Sequence, residues 1–530
     1  MPRARNKRMS NASEEKAVFM KKYSKWLSLG MALAMIFGVM GCGNQTPAGE
    51  EGSSQEGSMT EQSQVEEKEP FVPERVGLFE AEDGTFAGNV KEANSKSNYT
   101  GSGYVEGFEQ DGDSVTVIIE VAEEGIYDLN FLTAASGGEK HNYVSVDGES
   151  IGTIGSTSSR FADSYLTRVY LTAGTHEVTV SKYWGYIQLD RVEVWTAEPI
   201  DPAMYEITTP LVNPNASPNA VLVFDYLKEI YGKQILSGQN CDGGFAGKEF
   251  QVIRKTTGKL PAVLGLDMMN YSPTNVKNGT TGNSVELAKA FWEKGGIVTM
   301  CWHWTVPEKY LTGTWYSSFY KEHTNIKLDK IMNGEDPEGY DLLMADIDAI
   351  AEALKPLAEA DVPVLWRPLH EASGGWFWWG TSGGEACKKL WIAMYDKMVN
   401  EHGLNNLIWF WNGQDAEWYP GDEYVDIIGE DLYPGEKVYT SQAAKYFEAA
   451  AYPEEQTKMV YMSENGCIFD PDLAIRDGAM WGMWCTWGGE FVAKDTAIYT
   501  LSEQYTEEEM LIKAYSHDAV ITLDELPFNK

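Results

Sequence analysis

At 530 residues the chain is long enough for two or three domains, and its formal net charge of −37 excludes partners that are themselves anionic, nucleic acid above all. The load of 18 Trp, 28 Tyr and 19 Phe is higher than a core of this size needs, and so acidic a surface suits a soluble neutral ligand. Cys241, Cys301, Cys387, Cys467 and Cys485 are widely spaced, odd in number and without a CxxC pair, which argues against a disulfide framework and against a zinc site.

The N-terminus reads as a targeting segment. Arg3, Arg5, Lys7, Arg8, Lys16, Lys21, Lys22 and Lys25 make a basic region, followed by an apolar run from Leu27 to Met40. That run is short for a membrane span and right for a signal peptide. It ends in Val39-Met-Gly-Cys42, which resembles a bacterial lipoprotein box. The resemblance implies removal of residues 1–41 and a lipid on Cys42, hence an extracellular, cell-surface lipoprotein that meets the membrane only through that lipid. Residues 42–73 are Gly, Ser, Gln, Glu and Thr with almost nothing apolar, and are expected to be a disordered tether.

Residues 74–198 change to short period-two strands parted by glycine-rich turns. Val115–Val121, Ile126–Phe131, Tyr143–Val146, His176–Val180 and Leu189–Val194 are the clearest. The pattern predicts an all-β, jelly-roll-like sandwich. Glu80 and Glu82 would share one side of a first strand, and Asp190 would join them if the first and last strands pair. Three hard oxygen donors would suit Ca²⁺, although a solvated acidic edge is an equal reading. Glu80-Ala-Glu-Asp-Gly-Thr, Gly101-Ser-Gly-Tyr-Val, Leu171-Thr-Ala-Gly-Thr-His and Leu189-Asp-Arg-Val-Glu-Val together resemble carbohydrate-binding module family 35. The resemblance implies structural calcium on those acidic residues and sugar bound in the loops, at the matching positions Tyr104, Asn142 and Trp184.

A Pro/Asn-rich connection near 210–218 leads into the last domain, 210–530. Strand candidates are Gln234–Gly238, Ala262–Asp267, Ile297–Trp302, Val362–His370, Leu407–Trp411, Val425–Gly429, Met459–Met462 and Trp481–Trp487, mostly alternating with helical patterns. Leu343, Ile347, Ile350, Leu354 and Leu357 lie on one helix face, whose last turn Pro356 should disturb. Eight strand–helix units predict a (β/α)₈ TIM barrel, so the chain as a whole is multidomain. A doubly wound sheet is second, without a glycine-rich phosphate loop to support it.

In such a barrel the chemistry sits at the C-terminal ends of the strands. The fourth candidate runs into Trp366-Arg-Pro-Leu-His-Glu371 and then Gly-Gly-Trp-Phe-Trp-Trp; the seventh ends in Ser463-Glu-Asn-Gly. A carboxyl beneath tryptophans can be held protonated, and a second can stay ionised beside Ser463, Asn465 and Tyr433. Glycoside hydrolysis needs such a pair. The alternative is that either glutamate is structural, Glu371 pairing with Arg367.

These two motifs resemble glycoside hydrolase family 26, over about residues 215–530. The resemblance implies a retaining endo-β-1,4-mannanase acting on mannan, galactomannan or glucomannan without a catalytic cofactor, with Glu371 as acid/base and Glu464 as nucleophile. It also implies His303, His370, Trp376, Asp431, Tyr433 and Trp487 around the central sugar, with Trp484 an alternative to Trp487. The same chemistry on mixed-linkage β-glucan or β-1,3-xylan is the second reading. A non-catalytic, glycan-capturing lipoprotein is the third, which the presence of both glutamates disfavours. A monomer is expected.

Overall fold

The computed structural model describes residues 71–528 apart from Glu139 and Ala497. The signal segment, Cys42 and all but the end of the tether lie outside the described residues.

The first module is built from β1 (Arg75–Glu80), β2 (Thr85–Ala87), β3 (Lys91–Ala93), β4 (Tyr104–Glu106), β5 (Ser114–Val121), β6 (Gly125–Ala135), β7 (Lys140–Val146), β8 (Glu149–Ser156), β9 (Ala162–Leu171), β10 (Gly174–Lys182) and β11 (Ile187–Thr196). One sheet has the order β3-β4-β11-β6-β9 with β1 added on β11, and the other β2-β5-β10-β7-β8. The alternation that marked the strands is the alternation that packs them. Val115, Val117, Ile119 and Val121 of β5 are buried, as are Val178 and Val180 of β10, while residues between them face out. First and last strands do pair, Glu80 opposite Arg191.

The second module is a barrel. Its strands are β12 (Ile235–Leu236), β13 (Gly238–Asn240), β14 (Val263–Asp267), β15 (Ile297–Cys301), β16 (Val364–Arg367), β17 (Leu407–Trp411), β18 (Ile427–Leu432), β19 (Met459–Asn465) and β20 (Val520–Ile521). β13 to β19 form one parallel sheet in chain order, and β12 pairs with β20 outside it. The predicted first strand is thus split in two. The predicted eighth, 481–487, is not a regular strand, yet it closes the barrel. Leu236 and Gly238 exchange backbone hydrogen bonds with Gly482, Trp484 and Thr486 on one side, and Met462 and Asn465 bond to Met483, Cys485 and Trp487 on the other. Gly238 is required there, because a Cβ would lie 2.3 Å from the Trp484 carbonyl oxygen. The helix Pro337–Glu359 buries its apolar face as predicted. Pro356 does not end it; both Pro356 and Glu352, whose carbonyl loses its donor, are exposed, so water can take that bond.

The modules pack together. The Arg168 guanidinium lies 4.5 Å over the Phe447 ring and Arg476 lies 4.0 Å over Tyr170, joining β9 to the barrel helices Ala443–Ala450 and Pro471–Asp477. Ile207 already belongs to the barrel core, so packing of the second module begins slightly before residue 210. Cys241, Cys301, Cys387, Cys467 and Cys485 are all buried and free.

Candidate active site

β16 ends at Arg367, three residues earlier than the sequence suggested, because the chain then turns through left-handed backbone at Leu369 (φ 52°) and Glu371 (φ 52°). Such conformations in non-glycine residues cost free energy and persist where neighbours hold them. Here Asn412, just after β17, does so: the Glu371 N–H donates to its backbone oxygen at 2.7 Å and to its side-chain oxygen at 3.2 Å. Trp379 Nε1 donates to the His370 carbonyl at 2.9 Å. Of the aromatics that follow, Phe377, Trp378 and Trp379 are core, and only Trp376, 40% exposed, reaches the surface. Its indole N–H donates to Glu371 Oε2 at 2.8 Å.

Across the barrel mouth, β18 and β19 pair with a bulge: Glu430 faces Met462, but Asp431 faces Glu464, leaving Ser463 unpaired. This lets adjacent residues reach one site. The Ser463 hydroxyl donates to Asp431 Oδ1 at 2.6 Å, and Asn412 Nδ2 donates to Ser463 Oγ at 3.1 Å. Arg367 is buried and donates to Asp431 at 2.6 Å, Glu464 Oε2 at 2.8 Å and Asn412 at 3.2 Å. It therefore serves Glu464, and the structural pairing of Arg367 with Glu371 is not what the fold makes. Tyr433 donates its hydroxyl to the other Glu464 oxygen. Burial first, and then the Glu464 charge, keep that phenol protonated.

Oxygens of Glu371, Asp431 and Glu464 lie within 4.8 Å of one another. Burial, and then repulsion from Glu464, push the Glu371 carboxyl up to about 7. One carboxyl is thus poised as an acid at neutral pH, and its neighbour is held by a guanidinium and a phenol.

The rest of the rim is assembled as follows. His303 Nε2 and His370 Nε2 are 3.3 Å apart. Trp487 lies edge-on to His303 at 6.0 Å between ring centroids. Trp484 is excluded as its alternative, being fully buried between Phe469 and Tyr515. Arg367, Asn412 and Asp267, whose carboxylate lies 2.7 Å from His303 Nδ1, were not among the residues expected around the sugar. The signal available for Arg367 was a charge inside an otherwise apolar strand.

In the sandwich the expected residues divide. Trp184 is 58% exposed, stacked on His141 with the Lys140 ammonium 5.5 Å from its ring. Tyr104 is buried at 1% exposure, edge-on to Phe161 and bonded to Ser95, and Asn142 is buried in β7. Neither side chain reaches the surface as placed, because each points to the covered side of its strand. Of the three expected positions, Trp184 is the exposed one and these two are covered. Glu80, Glu82 and Asp190 do converge, but Glu82 lies in a 3₁₀ turn after β1 rather than in the strand. Thr100 Oγ1 lies 2.7 Å from Glu80 and 3.1 Å from Asp190, and the Ser102 and Gly103 N–H groups donate to Glu82 Oε1.

Comparison with known proteins decides the family. Residues 212–524 match the model described as glycosyl hydrolase family 26, and residues 77–197 match carbohydrate binding module (family 35). The chain belongs to glycosyl hydrolase family 26. A mannan endo-1,4-beta-mannosidase of Thermothelomyces thermophilus is 37% identical, the match covering 84% of this chain and 90% of that protein. Mannan endo-1,4-beta-mannosidase B of a Piromyces species is 36% identical, over 85% of this chain and 77% of that one. The crystal structure of a GH26-CBM35 beta-(1,4)-mannanase from Podospora anserina superposes with a TM-score of 0.59 at 35% identity, covering 86% of this chain and 99% of that one. A family 26 glycoside hydrolase with a β-sandwich carbohydrate module is therefore what the fold, the site and the likeness jointly show.

Proposed function

We propose that this glycoside hydrolase is a retaining endo-β-1,4-mannanase. The observation that carries the mechanism is the approach of Glu371 and Glu464 oxygens to within 4.8 Å, since retaining enzymes hold their carboxyls about 5–5.5 Å apart and inverting ones about 6.5–9.5 Å. Relatives along most of the chain that are named as mannosidases support the substrate. Glu464 attacks the anomeric carbon while Glu371 gives its proton to the leaving oxygen. A glycosyl ester on Glu464 results. Glu371, now a carboxylate, takes a proton from water, and the hydroxide displaces Glu464. Trp376 and Tyr433 hold the two carboxyls at fixed angles throughout. The test is reducing-sugar release from a panel of mannan, galactomannan, glucomannan, mixed-linkage β-glucan and β-1,3-xylan, with the first-formed anomer read by NMR. Mannan cleavage with β product is expected, and kcat should fall as pH rises through about 7, where Glu371 loses the proton it must donate. An α product would overturn the assignment.

The sandwich in this reading tethers β-mannan through Trp184, and Cys42 carries a lipid that holds a monomeric enzyme at the outer surface of the cell. Ca²⁺ would be held by Glu80, Glu82 and Asp190, and the residues fit it. Glu82 Oε2 is buried with no partner, and burial first, then Glu82 and Asp190, raise the Glu80 carboxyl. Among the described residues, groups of acidic, imidazole and sulfur donors come within 4.8 Å of one another only in the barrel, so the sandwich trio has to draw in to ligate. Bound Ca²⁺ at about 100 times its Kd would stabilise the fold by about 2.7 kcal/mol. Chelation should therefore lower the first thermal transition of the full chain by several degrees in calorimetry; an unmoved transition would mean that no ion is held there.

A further inference from the structure

One residue of the barrel mouth, Asp267, makes contacts that the double displacement does not use. It ends β14, and its carboxylate grips His303 twice: Oδ1 accepts the His303 backbone N–H at 3.1 Å, and Oδ2 lies 2.7 Å from the ring Nδ1. The same Oδ1 accepts the Met269 N–H at 2.8 Å, which fixes the carboxylate itself. A carboxylate only accepts, so Nδ1 of His303 carries hydrogen. Its far nitrogen, Nε2, faces Nε2 of His370 at 3.3 Å. Two imidazole nitrogens in contact share one hydrogen, and the question is which ring owns it.

We propose that Asp267 is a positioning residue that places this shared proton on His303, making it a fixed imidazolium whose Nε2 donates to a neutral His370. The Asp267–His303 pair is then neutral overall, with its positive end toward Glu371 and Glu464. The charges around the pair favour this arrangement, in which His370 carries its own hydrogen on Nδ1, a buried atom without a hydrogen-bond partner. Burial alone would push His303 down, but the charge and hydrogen bond of Asp267 more than reverse this and hold it above its ordinary value. Burial, His303 and Arg367 together hold His370 well below its own. The groups facing His303 from every side are Asp242 beyond β13, Asp267 on β14, Cys301 on its own strand, Arg367, His370 and Glu371 on and after β16, and Glu464 on β19. Phe319, Phe377 and Trp487 pack edge-on to the ring, and Asp267 is the carboxylate bonded to its Nδ1.

The consequence for catalysis rests on the mannanase reading; the protonation does not. Full-length protein with ¹³C/¹⁵N-labelled histidine, assigned with a His303→Gln variant, should show both His303 ring nitrogens protonated at pH 7. In Asp267→Asn its titration midpoint should fall by more than one pH unit, while Asp267→Glu, which keeps the charge, should hold it high. Asp267→Asn should also lose roughly 10²-fold in kcat. The alkaline limb of kcat should move up by about half a pH unit, because a neutral His303 no longer favours the Glu371 carboxylate. A neutral His303 in the wild-type enzyme at pH 7, or a midpoint unmoved by Asp267→Asn, would overturn the proposal whatever polysaccharide the enzyme cleaves.

Discussion

Glu464→Ala is expected to lose roughly 10⁴-fold or more in kcat on every substrate, because it removes the atom that forms the covalent intermediate. Glu371→Ala should behave differently. It removes a proton donor, worth about 10²–10⁴-fold, and the loss depends on how badly the leaving oxygen needs a proton. An aryl mannoside with an acidic phenol needs none, so this variant should glycosylate itself quickly and then stall, showing a burst of phenol. Natural polymer, whose leaving alkoxide is a strong base, should scarcely react. Added azide should restore turnover of the aryl substrate in Glu371→Ala and give a β-glycosyl azide, since a small anion attacks the ester without a general base. In Glu464→Ala azide can give only the inverted product. Equal responses of the two variants to leaving-group acidity and to azide would show that the roles are assigned wrongly. The geometry behind the expectation is local: Glu371 is bonded by the Trp376 indole on a barrel rim, and Glu464 is bonded by Arg367 and Tyr433.

The second large effect is expected at Arg367. Its guanidinium is the cation paired with both Asp431 and Glu464, with side-chain exposures of 2%, 0% and 7% for the three groups. Arg367→Met keeps the length and removes the charge, leaving two carboxylates buried side by side. Breaking a buried ion pair in this way costs about 3–5 kcal/mol. The barrel should unfold at distinctly lower denaturant concentration at pH 7. The penalty should shrink on acidification, since a protonated carboxyl no longer needs the partner. Activity should fall as well, because Glu464 would lose the guanidinium that holds it in place. Wild-type stability in Arg367→Met, measured by urea unfolding, would show that the pair is solvated in practice and that the site is held by Tyr433 and Ser463 instead.

Much of this was open to reading in one dimension. Period-two runs such as Val115–Val121 mark sandwich strands because one face must be buried and the other wet. Apolar runs such as Leu407–Trp411 mark barrel strands because both faces are covered. Glu371 and Glu464 stood out because a carboxylate at the end of a buried strand is costly unless it has a purpose. What the one-dimensional pattern misjudged were irregularities. Segment 481–487 closes the barrel through backbone bonds without regular strand geometry, and a helix runs through Pro356 because the bond it breaks faces solvent. Tyr104 and Trp184 looked alike as loop aromatics, yet one is packed on Phe161 and the other is in water.

By itself, then, the sequence determined the two-module order and the sandwich and barrel classes, and it singled out Glu371 and Glu464 as candidates, since all of these follow from local periodicity and from residue types at strand ends. Only the tertiary structure decided which groups hold that pair. Arg367, Asp431 and Glu464 come from β16, β18 and β19, Ser463 is aimed by a bulge, and Asp267 meets His303 across 36 positions of chain. Such contacts are set by the closure of the barrel, which brings distant strand ends within hydrogen-bond reach, and no spacing along the chain encodes a distance of that kind.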